Sequence, residues 1–200
     1  MVKKVLTDIH RYWFGELRSP AEQPAKEKME MWFRRSEATD ARIRETFGKY
    51  LAAAGATEWD VSHLAPAEQV ALVVLLDQFP RNIFRESGEA FAYDEKARTL
   101  ARDVIAAGVD RLHPAERTFV LMPLMHSEDV ADQDACVMLF AHEAVRADDP
   151  HREAFRNGLD FATKHRDVIR KFGRFPHRNQ VLGRESTEEE AEFLKSGRGF

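Results

Sequence analysis

The chain has 200 residues, 30 basic and 34 acidic, a net charge of −4, 44% hydrophobic residues and one cysteine. A near-balanced charge gives no general attraction to nucleic acid or to a membrane surface, and a lone Cys136 excludes an internal disulfide framework and fits a reducing compartment. No stretch approaches the ~20 apolar residues of a membrane span, and the first residues lack the apolar run of a signal peptide. The expectation is a single cytoplasmic helical domain over residues 1–200.

Apolar residues recur at the helical period nearly throughout, with no convincing strand alternation. Residues 7–17 form a short amphipathic start ending in Trp13 and Phe14. Residues 38–54 place Ile43, Phe47, Tyr50 and Leu51 on one face, with Gly55 as the expected C-cap. Pro66 suits a first helical position. The run from Gln69 to Leu76 is apolar all round and marks a central buried helix, which Pro80 is expected to stop. Residues 89–107 form another helix closed by Gly108. Pro114 opens the next, and Pro123 ends or kinks it. Residues 126–147 and 151–172 form two long helices, the second closed by Gly173. Thr187 and Glu190 make a capping box for a short last helix. That is an all-α chain of about eight helices with short connections, suited to antiparallel pairs.

One phrase occurs twice. Residues 78–85 read Gln-Phe-Pro-Arg-Asn-Ile-Phe-Arg, and residues 174–184 begin Arg-Phe-Pro-His-Arg-Asn. Each follows a helical pattern and brings an aromatic, a proline, arginine and asparagine into the expected turn. Arginine held beside a rigid Phe-Pro suits a carboxylate or a phosphate. Arg81, Asn82, Arg85, Arg174, Arg178 and Asn179 are therefore candidate anion-binding residues.

Three polar groups fall on faces that should be dry. On the helix expected from His126, the residues His126, Asp129, Gln133, Val137 and Phe140 share a face. Either His126 and Asp129 form an acid/base pair beside a pocket that Gln133 also lines, or Asp129 and its neighbours merely cap the helix. Asp77 lies at the C-terminal end of the most apolar helix, where the dipole disfavours an anion. It calls for a cation, with Arg81 and Arg85 in reach. His165 projects among Phe161, Val168, Ile169 and Phe172, with Arg166 at the edge. A satisfied core histidine is the plainer reading, and Asp77, His165 and Arg166 are assigned to a structural ion network. The stretch from His165 to Arg184 holds six basic residues against Asp167 alone, enough to receive an anion or to neutralise Asp77, Glu128, Asp129 and Asp132 within the fold.

There is no glycine-rich phosphate loop, no GxSxG and no HExxH. Cys136 sits mid-helix among apolar neighbours, as an inert thiol does. His126 with Asp129 is too little for a metal site, so neither metal nor cofactor is expected.

The stretches from Leu75 to Arg85, from Met122 to Asp129, and from His165 through Asn179 resemble an uncharacterised bacterial family, domain of unknown function 924. Trp32-Phe33, Phe91-Ala92-Tyr93-Asp94 and the ending from Leu182 to Thr187 fit it as well. The resemblance covers almost the whole chain. It implies an all-helical fold similar to tetratricopeptide-like helix arrays, and it brings no reaction, cofactor or substrate. The position of Met125 is often acidic in such sequences, so a scheme needing a carboxylate directly before His126 loses support here.

Three functions stay open. The favoured one is a helical-repeat-like binding module whose motif arginines hold an anionic group of a protein, peptide or small-molecule partner. The second is an enzyme for a small anionic metabolite, with His126 or His177 moving protons and Asp129 orienting a histidine. In the third, the motifs are a buried ion network that fixes helix packing. Neither nucleic acid nor membrane is an expected partner.

Overall fold

The computed structural model describes residues 2–196, and among these it is helical with no strand. The helices are α1 (Lys3–Phe14), α2 (Lys26–Phe33), α3 (Glu37–Phe47), α4 (Leu51–Ala56), α5 (Pro66–Ile83), α6 (Asp94–Ala106), α7 (Pro114–Met125), α8 (Val130–Arg146), α9 (His151–Phe172) and α10 (Glu188–Lys195). Short 3-10 turns lie between several of them.

The all-round apolar run does form the central helix. Every residue of α5 from Gln69 to Asp77 is buried, and α5 packs against α1, α3, α4, α6 and α7. Trp13 and Phe14 from α1 meet Phe79 and Phe119 edge-to-face in this core. A second core forms where α8 and α9 pack together, around Cys136, Phe140 and Phe155. Successive packing of α7, α8 and α9 is compatible with a helical-repeat arrangement.

Several boundaries differ from expectation. Helix α2, only two turns long and with no fully buried residue, carries too little periodic signal to be read from sequence. The 38–54 helix is broken at Gly48–Tyr50 into α3 and α4. Gly55 is not a cap but lies within α4, where an added Cβ would come 2.4 Å from the Tyr93 ring. Neither proline stops its helix at once. Pro80 lies inside α5, which runs on to Ile83, and Pro123 lies inside α7. So close to a C-terminus a proline removes only one backbone bond, and packing offsets that loss. The helix expected from residue 126 begins at Val130 with Asp129 as N-cap. Gly173 closes α9 in the left-handed conformation, as expected, and the Thr187–Glu190 capping box opens α10.

Candidate functional site

The continuation of α5 past Pro80 changes what the first Phe-Pro phrase does. Arg81 and Asn82 occupy the last helical turn instead of a loop, so their side chains leave α5 in different directions. Arg81 makes a two-pronged pair with Asp94, the first residue of α6, at 2.9 Å on both oxygens. Asn82 and Arg85 instead turn to Asp40 on α3, with Asn82 Nδ2 donating at 2.8 Å. Asp40 is nearly buried, and although burial alone would raise its pKa, Arg85 and Asn82 hold it below the usual carboxylate range.

The second phrase forms a short 3-10 turn, Pro176–Arg178, and it reaches the first. Arg178 Nη1 lies 3.5 Å from the same Asp94 that Arg81 grips. Its guanidinium is sandwiched 4.5 Å from the Phe91 ring and 4.6 Å from the Phe175 ring, and Nη2 donates to the His126 carbonyl at 2.9 Å. Burial, together with the nearby Arg81 charge, pulls its pKa down to about 10. Arg174 and Asn179 face the other way, onto buried Glu190 and the start of α10. Arg184 forks onto Glu128 at 2.7 and 3.0 Å and donates to Asn179. The two phrases thus meet at Asp94, while Asn82, Arg85, Arg174 and Asn179 bind elsewhere in the fold.

At the meeting point stands a pair that sequence spacing did not suggest. His126, the C-cap of α7, lies with Nδ1 2.8 Å from Asp77 Oδ1. Asp77 is 1% exposed. Its other oxygen accepts from Gln78 Nε2 at 2.6 Å, and Arg81 Nη1 lies 3.4 Å away. Burial alone would raise the Asp77 pKa, but His126, Arg81 and Gln78 outweigh it and keep the carboxylate ionised. An ionised carboxylate only accepts, so Nδ1 carries the hydrogen and Nε2 is left with a lone pair. No described residue hydrogen-bonds Nε2, and the His126 side chain is 17% exposed. Burial and the Arg81 charge lower the His126 pKa, Asp77 opposing them, so the imidazole is neutral near pH 7.

Two further histidines border this group. His165 Nδ1 donates to the Phe161 carbonyl, 2.8 Å away, and its ring meets Phe175 edge-on at 5.5 Å. Burial lowers its pKa to about 3. The His177 ring lies 5.5 Å from that of Phe175, tilted by 36°. Burial lowers the His177 pKa as well, to about 4.

Of the two readings of Asp129, the helix cap is the one observed. Asp129 is exposed and accepts from the Ala131 amide as an N-cap, so it does not orient a histidine. Gln133, fully buried, caps the end of α7 by donating to the Met125 and Ser127 carbonyls. Arg166 lies near Asp134 and Asp167 and is not joined to Asp77. Asp132 is neutralised by Arg98 and Arg102 from α6 instead of by the basic stretch after His165. Asp94 and Asp40 were not singled out as site residues, because an acid in a first helical turn reads as dipole compensation. Burial pushes the Cys136 thiol up to about 12, as an inert core thiol requires. Among the described residues no three histidine, cysteine or acidic side chains are grouped as a metal would need. None of the described helices is long and apolar enough to cross a membrane.

The model of a family described as bacterial protein of unknown function, DUF924, matches residues 9–198. The chain belongs to DUF924. A solved structure, the protein of unknown function ATU0120 from Agrobacterium tumefaciens, is 31% identical, with 98% of this chain and 99% of that one covered and a TM-score of 0.80. No curated protein matches. In this DUF924 chain the three long motif stretches supply Asp77 and Arg81, then His126, then Arg178, and these converge from α5, the end of α7 and the segment after α9.

Proposed function

We propose that this DUF924 protein is an enzyme that transfers a proton at a small substrate, with His126 Nε2 as the acid/base and Asp77 as its orienting carboxylate. The observation that carries the reading is the buried Asp77–His126 pair, in which Nδ1 is held by Asp77 and Nε2 has no hydrogen bond to any described residue. A neutral imidazole backed by an ionised carboxylate takes a proton from a substrate or a water. The resulting imidazolium is stabilised by Asp77 and returns the proton to the product. Arg178 fixes the base by holding the His126 carbonyl. Its Nε is buried without a partner among the described residues and offers a donor to a substrate oxygen.

The partner-binding alternative would need the motif arginines to clamp an anion from outside. Arg81, Arg85, Arg174 and Arg184 are each already paired with a carboxylate of the fold. An external anion would first have to break those pairs.

The test is a time course of a bacterial small-molecule extract incubated with the purified protein and read by mass spectrometry. His126→Asn is the control, since its amide can still donate to Asp77. A substrate and product pair that changes with the wild type and not with His126→Asn is the expected result. Identical profiles for the two proteins contradict an acid/base role.

A further inference from the structure

A separate cavity of about 530 Å³ opens between α2, α7, α8 and α9. Its walls are aromatic and thioether side chains, among them Trp32, Phe119, Met122, Met125, Phe140 and Phe155. This volume lies in the range of small-molecule sites, which are mostly apolar with a few placed polar groups. Two features go beyond an unfilled gap in packing. First, among the described residues the lining contains no lysine, arginine, aspartate or glutamate, although such residues make up 32% of the chain. Second, it contains His151, which is 6% exposed and whose Nε2 is buried with no hydrogen-bond partner among the described residues. The Pro20 and Glu22 carbonyls lie near this ring without completing a bond to that atom.

A buried imidazole nitrogen without a partner carries a desolvation cost that a bound polar atom would remove. A carboxylate or phosphate would enter this site with no cation to meet it, at a larger cost than it relieves. An uncharged oxygen meets both conditions. Phe33 and Phe161, exposed at 68% and 52%, stand at the rim, where an apolar molecule would cover them.

We propose that this cavity binds an uncharged, largely apolar small molecule that carries one hydroxyl or carbonyl oxygen, with His151 Nε2 bonding that oxygen. The site is distinct from the Asp77–His126 pair and stands without it. Gln78 touches both, contacting the Met122 sulfur in the cavity wall and donating to Asp77.

The test uses 1-decanol and decanoate, equal in chain length and different in charge, each titrated calorimetrically into the full chain and each competed against the uncharged dye Nile red. The wild type should bind decanol and release the dye, with decanoate at least about tenfold weaker. Ala154→Trp, which fills the cavity from the exposed rim of α9, should abolish both, and Thr118→Phe repeats the blockade from α7 should the first variant melt early. His151→Phe keeps a ring and removes the nitrogen, and should weaken decanol by about tenfold, the factor for one hydrogen bond. The proposal is overturned if the wild type binds neither probe, if decanoate binds as tightly as decanol, or if blocked variants that fold normally still bind. Unchanged decanol affinity in His151→Phe would remove His151 from the site.

Discussion

His126 Nδ1 lies 2.8 Å from Asp77 Oδ1, joining the end of α7 to α5 across 49 residues of chain. His126 caps the C-terminus of α7, where the dipole favours a cation, whereas Asp77 is buried inside α5, before its last turn. Asp77 is therefore in an unfavourable position unless it is paired, and it gains three donors: the imidazole, the Gln78 amide and the Arg81 guanidinium. The same arrangement that makes the carboxylate tolerable leaves one imidazole nitrogen unused.

Replacing Asp77 by asparagine keeps the shape and removes the charge. It leaves Arg81 with Asp94 alone and His126 without its anion. The expected loss is on the order of 3 kcal/mol of folding stability, as for other broken buried pairs. Urea unfolding of Asp77→Asn beside the wild type measures it.

Acid should destabilise the fold well before ordinary carboxylates titrate. His165 has its pKa lowered to about 3, chiefly by burial, and His126 is lowered too. As pH falls below the unfolded histidine value of ~6.5, the unfolded chain takes up protons that the folded one refuses, so stability drops. Each such histidine contributes a slope of up to about 1.4 kcal/mol per pH unit until its folded pKa is reached. Below about pH 4 the depressed carboxylates Asp77 and Glu128 add to the loss as they are forced toward protonation. Thermal melts from pH 7.5 to 4 should fall steadily in the wild type and less steeply in His165→Phe.

Gly158 lies within α9, where alanine is normally the better helix former by ~1 kcal/mol. Here a Cβ would come 2.4 Å from Cε1 of Phe140. Overpacking of this kind costs about 1–3 kcal/mol, so Gly158→Ala should lower stability despite its helix propensity. A raised melting temperature would show that the α8–α9 contact is looser than described.

Arg174 and Arg170 are four residues apart and should differ sharply. Arg174 forks onto Glu190, which is 2% exposed, so Arg174→Ala leaves a buried acid unpaired. Arg170 pairs with half-exposed Asp134 at the surface. Unfolding experiments should show a clear loss of stability for Arg174→Ala and a change under ~0.5 kcal/mol for Arg170→Ala.

Helical class, the central α5, the Gly173 stop and the last capping box were legible because each rests on local pattern: period, composition or a cap within four residues. The need of Asp77 for a cation was legible for the same reason, and Arg81 supplies it. The histidine that completes the site was not. Sequence spacing offers His126 only Asp129, which belongs to the same stretch of chain, whereas its partner lies on another helix. Long-range pairing between two helices leaves no periodic trace. Nor does the role of Arg178, whose partners are the His126 carbonyl, Asp94 and two aromatic faces from three separate segments.

The most direct measurement is the tautomer of His126, read from its side-chain nitrogen-15 shifts by two-dimensional NMR between pH 5.5 and 8, with His126→Asn to assign the signals. The pair described here predicts a neutral ring with the hydrogen on Nδ1 and a bare Nε2 at pH 7, and a return toward mixed tautomers in Asp77→Asn. A ring protonated on Nε2 alone, or shifts unchanged by Asp77→Asn, would contradict the orienting role of Asp77 and with it the proposed base.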